Sequence, residues 1–325
     1  MQWVLIGDNH FDLWPSFAVG RKPLERLQEQ ISVLKQALSL ASKWRAKTKL
    51  GIVFMGDVFH RNNPHYAVLL AVIEAFQAYD LTGIPIYIIP GNHEESNYAQ
   101  SVLQILEQVK GVDVTVTTEF TQKGNVLFVP FSESQNLNEY LSKAKGVDFV
   151  FGHFGLNDAG WPDENSGVPY VHKDVKYFLG HYHGAMDVFN DGKVVYTGSA
   201  TPLAFDHVGQ QASILRMSPK TGKYKRVYLD HPVFLKVAVG TALAVEGDYY
   251  LKVTGKTKHE IDDYVSELHN KPLMVRYDIT GIDAQTIEVT RSQLPVVREL
   301  IKKVSTGGEQ KTGIHLWDEF GKANQ

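Results

Sequence analysis

Cysteine is absent from the 325 residues. Its absence excludes disulfides, thiolate metal sites and a cysteine nucleophile. It also fits a reducing compartment, and a cytoplasmic location is the expectation. Long hydrophobic runs are lacking: none approaches the roughly 18 residues of a membrane span, so no membrane partner is expected. The first residues show neither a basic n-region nor a long apolar h-region, so no secretory signal is expected. A large excess of either charge is lacking. The formal net charge is −3, and the chain as a whole lacks the basic signature of a nucleic-acid binder. Internal repeats and low-complexity segments are missing as well.

What is present is an ordinary soluble globular composition, 43% hydrophobic and 21% charged. The length suits one large domain plus a smaller one, or two of similar size. Histidine is frequent, at 13 residues, so any metal site must use imidazole and oxygen donors. One local charge imbalance stands out: Arg21–Lys49 holds eight Lys or Arg against two Glu. A solvated helix face explains it most simply; a surface for backbone phosphates is the sharper alternative.

The early chain alternates strand and helix. Strands are expected at Trp3–Ile6, Ile52–Met55 and Ile84–Ile89, and helices at Leu24–Trp44, Tyr66–Ala78 and Tyr98–Val109. From Val126 the pattern shifts to strands near Val126–Phe131, Val147–Phe151, Tyr177–Leu179, Met186–Phe189 and Val194–Thr197, with a hairpin turn at Asn190-Asp191-Gly192. A second hairpin joins Ala212–Met217 to Tyr224–Leu229. His231-Pro232 marks a boundary, followed by strands near Tyr249–Thr254 and Leu273–Ile279 around a helix at His259–His269. The expected division is residues 1–231, a small α+β domain over 232–306, and a loose tail over 307–325.

The chemistry sits where the apolar runs end. They close in Gly7-Asp8-Asn9-His10, Gly56-Asp57-Val58-Phe59-His60, Pro90-Gly91-Asn92-His93-Glu94, Gly152-His153 and Gly180-His181-Tyr182-His183. In a parallel α/β sheet ligands bind at the carboxyl ends of strands, so these clusters are expected to converge, with glycine allowing sharp bends and close approach. Asp8 and His10 flank Asn9, which places them on one face and Asn9 on the other. One histidine alone is more often structural, and a lone Gly-Asp is usually a turn. Five such motifs in order, each closing an apolar run, argue for a site. Imidazole with hard oxygen suits manganese, iron, zinc or magnesium. Seven candidate ligands, Asp8, His10, Asp57, Asn92, His153, His181 and His183, are too many for one catalytic ion. Two ions sharing a bridging carboxylate fit better.

The order Asp-x-His, Gly-Asp-x-x-His, Gly-Asn-His-Glu, Gly-His, Gly-His-x-His resembles the calcineurin-like metallophosphoesterase superfamily over residues 1–205. The resemblance implies an α/β fold, a four-layer α/β/β/α sandwich with a small α+β capping domain. It implies that Asp8, His10, Asp57 and His183 hold one ion and that Asp57, Asn92, His153 and His181 hold the other. A hydroxide held by the ions would attack phosphorus. His93, beside Asn92, would be the general acid, a task that suits an imidazole.

Three features resemble the double-strand-break nuclease branch, SbcD-like subunits and tailed-phage recombination endonucleases. They are the Gly-Asp-x-Phe-His form at Gly56–His60, the segment Tyr196–Leu203, and the strand Lys271–Tyr277 of the appended domain. His60 would then sit beside the scissile phosphate. The resemblance implies a DNA exonuclease and endonuclease using two divalent ions, manganese first with magnesium, iron or zinc as alternatives. It implies DNA, a second copy of the chain and an SMC-like ATPase as partners; Leu294–Val304 and Ile314–Phe320 are the only candidates for an ATPase-docking segment. A small-substrate phosphodiesterase or phosphatase of the same superfamily is the alternative. A non-catalytic DNA-end binder is opposed by the complete motif set.

Overall fold

The structure is a computed structural model that describes residues 1–17, 24–95, 101–157, 167–168, 174–189, 193–280 and 288–290. The expected turn at Asn190-Asp191-Gly192, the segments Leu294–Val304 and Ile314–Phe320, and the tail from residue 307 lie outside them. Contacts divide the chain into two units. The first runs over Met1–Trp14 and Leu24–His231; the second takes Pro15–Phe17 and the chain from Pro232.

The first unit holds two six-stranded sheets. In one, β1 (Gln2–Ile6), β2 (Leu50–Phe54), β3 (Pro85–Ile88) and β4 (Asp113–Val116) run parallel. In the other, the parallel strands are β6 (Val126–Val129), β7 (Phe149–His153), β10 (Lys176–Gly180) and β12 (Val194–Tyr196). The edge strand β5 (Thr121–Lys123) pairs antiparallel with β6. Gly155–Leu156 and Gly167–Val168 form a separate short parallel pair, β8 and β9. At the opposite edge β11 (Met186–Phe189) is antiparallel to β12. The first sheet is extended by the antiparallel hairpin β13 (Ser213–Met217) and β14 (Tyr224–Tyr228), with β13 against β1.

Strand periodicity explains the layering. Val4, Ile6, Ile52, Phe54, Ile86 and Ile88 face a core shared with α1 (Glu25–Arg45) and α2 (Tyr66–Gln77). The alternate residues Trp3, Leu5, Val53 and Tyr87 pack against Phe128, Phe151 and Phe178 of the second sheet. Beyond that, Leu127, Val129, Val150, Tyr177 and Leu179 face α3 (Leu137–Lys143) through Leu137 and Leu141. The result is the α/β/β/α sandwich. Strands buried on both faces read as unbroken apolar runs, which is why β1, β2 and β3 were legible. Trp3 links the sheets, with Tyr87, Phe128 and Phe151 edge-on at 5.8, 5.7 and 5.9 Å.

In the second unit β15 (Val233–Ala238), β16 (Tyr249–Gly255) and β17 (Met274–Ile279) are parallel, with β18 (Glu288–Thr290) antiparallel to β17. The helix α4 (Lys258–Glu267) packs Ile261 and Val265 on this sheet. Phe17 joins the same unit, its ring 5.7 Å from Phe234 and 5.5 Å from Tyr250.

The structure departs from the sequence expectations in several places. The helix expected at Tyr98–Val109 is, in its described part, a 3-10 stretch at Val102–Gln108, tightened by i→i+3 bonds just before β4. The strand expected at Ile84–Ile89 runs over Pro85–Ile88, and Pro85 stands at its first position, where its missing N–H costs nothing in the ladder. β4, β5, α3 and β15 were not anticipated. The first two are short, partly exposed edge strands without an apolar run.

Candidate metal centre

The five motif loops are stitched to one another by hydrogen bonds of backbone and side chain. Asn9 N and His10 N both donate to Asp57 O, at 3.0 and 2.8 Å, and Phe11 N donates to Val58 O at 2.9 Å. Glu94 ties the second motif to the third, accepting from Phe59 N at 2.8 Å and from Gly91 N at 2.9 Å. His153 Nδ1–H donates to Met55 O at 2.8 Å, joining the two sheets. His181 N donates to Asp8 Oδ2 at 3.0 Å, and Ala200 N to Asp8 O at 3.1 Å.

Backbone strain gathers at the same loops. Among the described residues the non-glycine positions with positive φ are His10 (47°), Trp14 (49°), Asp57 (47°) and His181 (85°). Three of these are candidate ligands, and such conformations persist only where surrounding structure enforces them. Two glycines are required by close approach. A Cβ on Gly56, whose φ is +104°, would lie 2.0 Å from His153 Nδ1, and one on Gly91 would lie 2.1 Å from Asp57 Oδ1.

All seven candidate ligands come together. Asp8, His10, Asp57 and His183 offer one ligand atom each within 4.8 Å of one another. His10 Nε2 is 2.8 Å from His183 Nε2 and 3.4 Å from Asp57 Oδ2. On the other side of Asp57, His153 Nε2 is 3.2 Å from Asp57 Oδ2. Asn92 Oδ1 is 3.1 Å from both His153 Nε2 and His181 Nδ1. Asp57 is common to both groups. His10, His60 and His93 form a further group within the same limit. It lacks a carboxylate and shares His10 with the first group, so it is the weaker cation site.

The electrostatics say what the cavity wants. Burial pushes the Asp8 carboxyl well above its ordinary pKa, and among the described residues Asp8 Oδ1 has no hydrogen-bond partner. Burial also works to raise Asp57, but His153 and His10 outweigh it and hold Asp57 well below the usual carboxylate range. Burial and then Asp57 push Glu94 up to about 8. Burial lowers His10 well below its ordinary value and, with His207, takes His183 down to about 4. His153 goes the other way: burial is overcome by Asp57 and Asp8, and it rises to about 10. The reason is local. With Nδ1–H committed to Met55 O, a neutral His153 would aim its Nε2 lone pair at Asn92 Oδ1 and Asp57 Oδ2. A proton or a metal cation must sit there. An orphaned buried carboxylate oxygen and an oxygen–imidazole donor set therefore fit divalent ions.

His93 and His60 stand beside these groups. The His93 ring is 4.6 Å from that of His10 and stacks on His60 at 5.2 Å. His93 N donates to Asp57 Oδ1 at 3.1 Å, and His93 Nδ1 lies 2.7 Å from His60 O. His60 Nδ1 is 3.4 Å from His10 Nδ1, and burial followed by His93 lowers its pKa.

Sequence reasoning missed several supporting residues. Glu94 closes the third motif, yet its motif assigns it no role of its own. Gln30 of α1 is buried and donates through Nε2 to Asn9 O and His10 O at 3.0 and 3.1 Å. His207 places its ring 5.1 Å from His183, and Phe131 packs 5.8 Å from His181. Only Gln30 carried a usable signal, a polar residue on the apolar face of a helix. Asn9, expected on the opposite face from Asp8 and His10, is fully buried, and among the described residues neither side-chain amide atom has a partner.

The basic stretch is also smaller than its composition suggests. Arg26 is buried and donates to Pro202 O at 2.6 Å, and Arg45 pairs with Asp80. Arg21 and Lys22 lie outside the described residues, which leaves Lys35, Lys43, Lys47 and Lys49 exposed.

Comparison with known proteins bears on what this arrangement is. No curated protein matches the chain. Among solved structures, one described as a novel archaeal phosphodiesterase is 13% identical, covers 70% of this chain and 100% of its own, and superposes with a TM-score of 0.38. The model of the calcineurin-like phosphoesterases matches residues 1–185, which is more than half of the chain and spans every motif from Asp8 to His183. The chain belongs to the calcineurin-like phosphoesterase family.

Proposed function

We propose that the protein is a two-metal-dependent DNA nuclease, exonuclease and endonuclease, serving recombination and double-strand-break repair. The observation that carries the phosphodiesterase part is the pair of donor groups sharing Asp57. Asp8, His10, Asp57 and His183 would hold one ion, and Asp57, Asn92, His153 and His181 the other. Bound there, divalent ions supply Lewis acidity, lowering the pKa of a water towards neutrality and offsetting charge on phosphoryl oxygens. Manganese is the proposed ion, on the nitrogen–oxygen donor set.

The chain's own residues supply orientation and a proton. His153 is fixed by its bond to Met55 O, and Asp8 by the His181 amide. His93 is the proposed general acid. In its imidazolium form Nδ1–H stays on His60 O, and Nε2–H is the proton given to the leaving oxygen. His60 lines the same side as His93 and would sit beside the phosphate.

DNA is favoured over a small ester by the Gly-Asp-x-Phe-His motif that brings His60 to the site. The segment Tyr196–Leu203 also adjoins it, with Ser199 N donating to His183 O at 3.0 Å. A homodimer and an SMC-like ATPase are the partners this reading carries. The test is cleavage of linear duplex and single-stranded DNA with manganese against EDTA. Manganese-stimulated cutting abolished by EDTA is expected. Hydrolysis of p-nitrophenyl or cyclic-nucleotide esters with no DNA cleavage overturns the nuclease reading.

A further inference from the structure

One charged residue beside the site is left without a role by the motifs. Arg61 follows His60, and its side chain is 60% exposed. Its Nε donates to Asp12 Oδ2 at 2.9 Å. Asp12 is held in turn: its side chain is 8% exposed, and Oδ1 accepts from Leu13 N at 2.8 Å. Asp12 lies two residues after His10, in the loop whose carbonyls at Asn9 and His10 are gripped by Gln30. One end of the guanidinium is thus anchored to the loop that carries Asp8 and His10. Among the described residues, neither Nη1 nor Nη2 of Arg61 has a partner.

An ion pair kept for stability gains little at an exposed guanidinium, and arginine pairs most strongly when both arms of its fork engage. Here a single Nε contact aims the group and leaves the rest of the fork exposed. A planar, permanently charged fork of this kind recognises phosphate. A polynucleotide differs from an isolated diester by carrying a second phosphate next to the scissile one. We propose that Arg61 is a specificity-determining residue that binds the phosphate neighbouring the scissile phosphodiester, so that the site favours oligonucleotides over isolated diesters. The proposal rests on the nuclease reading.

The experiment compares manganese-loaded wild-type protein with Arg61→Ala and Arg61→Lys on an end-labelled oligonucleotide and on bis(p-nitrophenyl) phosphate. For Arg61→Ala the ratio of kcat/KM, oligonucleotide over diester, is expected to fall about tenfold, chiefly through KM, and the salt slope on the oligonucleotide to drop by about 1. Arg61→Lys is expected to recover part of both, and manganese content to match wild type. Equal losses on both substrates, or an unchanged ratio and salt slope while the wild type cleaves the oligonucleotide, overturn this proposal alone. Wild-type protein that hydrolyses the diester and leaves the oligonucleotide intact overturns the nuclease reading with it.

Discussion

In the second unit the described polar side chains near the core are paired. Tyr277 Oη donates to Asp262 at 2.6 Å, Thr257 caps α4 by accepting from Glu260 N at 3.2 Å, and Lys271 Nζ donates to the carbonyls of Val265, Ser266 and Leu268. In the first unit, around Asp8, the reverse holds. Among the described residues, Asp8 Oδ1, both side-chain amide atoms of Asn9, Ser199 Oγ and Thr201 Oγ1 are buried without partners. Every non-glycine positive φ among the described residues is there too. A region selected only to fold satisfies its polar groups; a region selected to hold something leaves them open and strained. The contrast therefore points to the same candidate site independently of any motif.

Substitutions that separate catalysis from stability would break this contrast. The largest effect is expected from Asp57→Ala. Losing the shared carboxylate removes several kcal/mol of charge stabilisation, roughly a 10³-fold or greater loss of turnover on a phosphodiester, and steady-state kinetics on bis(p-nitrophenyl) phosphate reads it. Normal turnover would show that the cluster is not the site. His93→Ala comes next, with about 10²–10⁴-fold lower kcat and both ions kept. Loss of metal from that variant would make His93 a support of the site rather than its acid.

Tyr277→Phe sharpens the comparison from the other unit. It removes a hydrogen bond to a carboxylate, worth about 1.5–3 kcal/mol, and should lower the denaturation midpoint while leaving turnover unchanged. A fall in turnover without a fall in stability would contradict the division of roles.

The last expected effect is the pH dependence of the metal-free fold. The raised pKa of His153, about 10, contributes stability that is complete below roughly pH 6.5 and is lost as pH rises through 10. The depressed pKa of His183, about 4, contributes stability present above roughly pH 6.5 and lost as pH falls through 4. Melting curves in EDTA should fall on both sides, and manganese should suppress the alkaline loss by taking the place of the proton on His153.

The parallel core and the candidate ligands were legible for one reason. Strands buried on both faces read as apolar runs, and the ligands follow directly where those runs stop. β4 and β5 carry partly exposed edge sequences and gave no such signal. β15 interleaves half-buried Val233, Leu235 and Val237 with exposed Lys236 and Ala238, and its start is masked by the break signal of His231-Pro232. Arg26 looked like surface charge, yet it is buried against Pro202 and Leu203, 176 and 177 positions away. His207 meets His183 only through the turn that follows β12. Residues that act through distant contacts leave no local pattern to read.

The central claim is that five strand-end loops build one centre for two divalent ions bridged by Asp57. Manganese content per chain after equilibration and desalting, for wild type and for Asp57→Ala, tests it most directly. The account predicts two ions in the wild type and fewer than one in the variant. At most one ion in the wild type, or two retained in the variant, would contradict it.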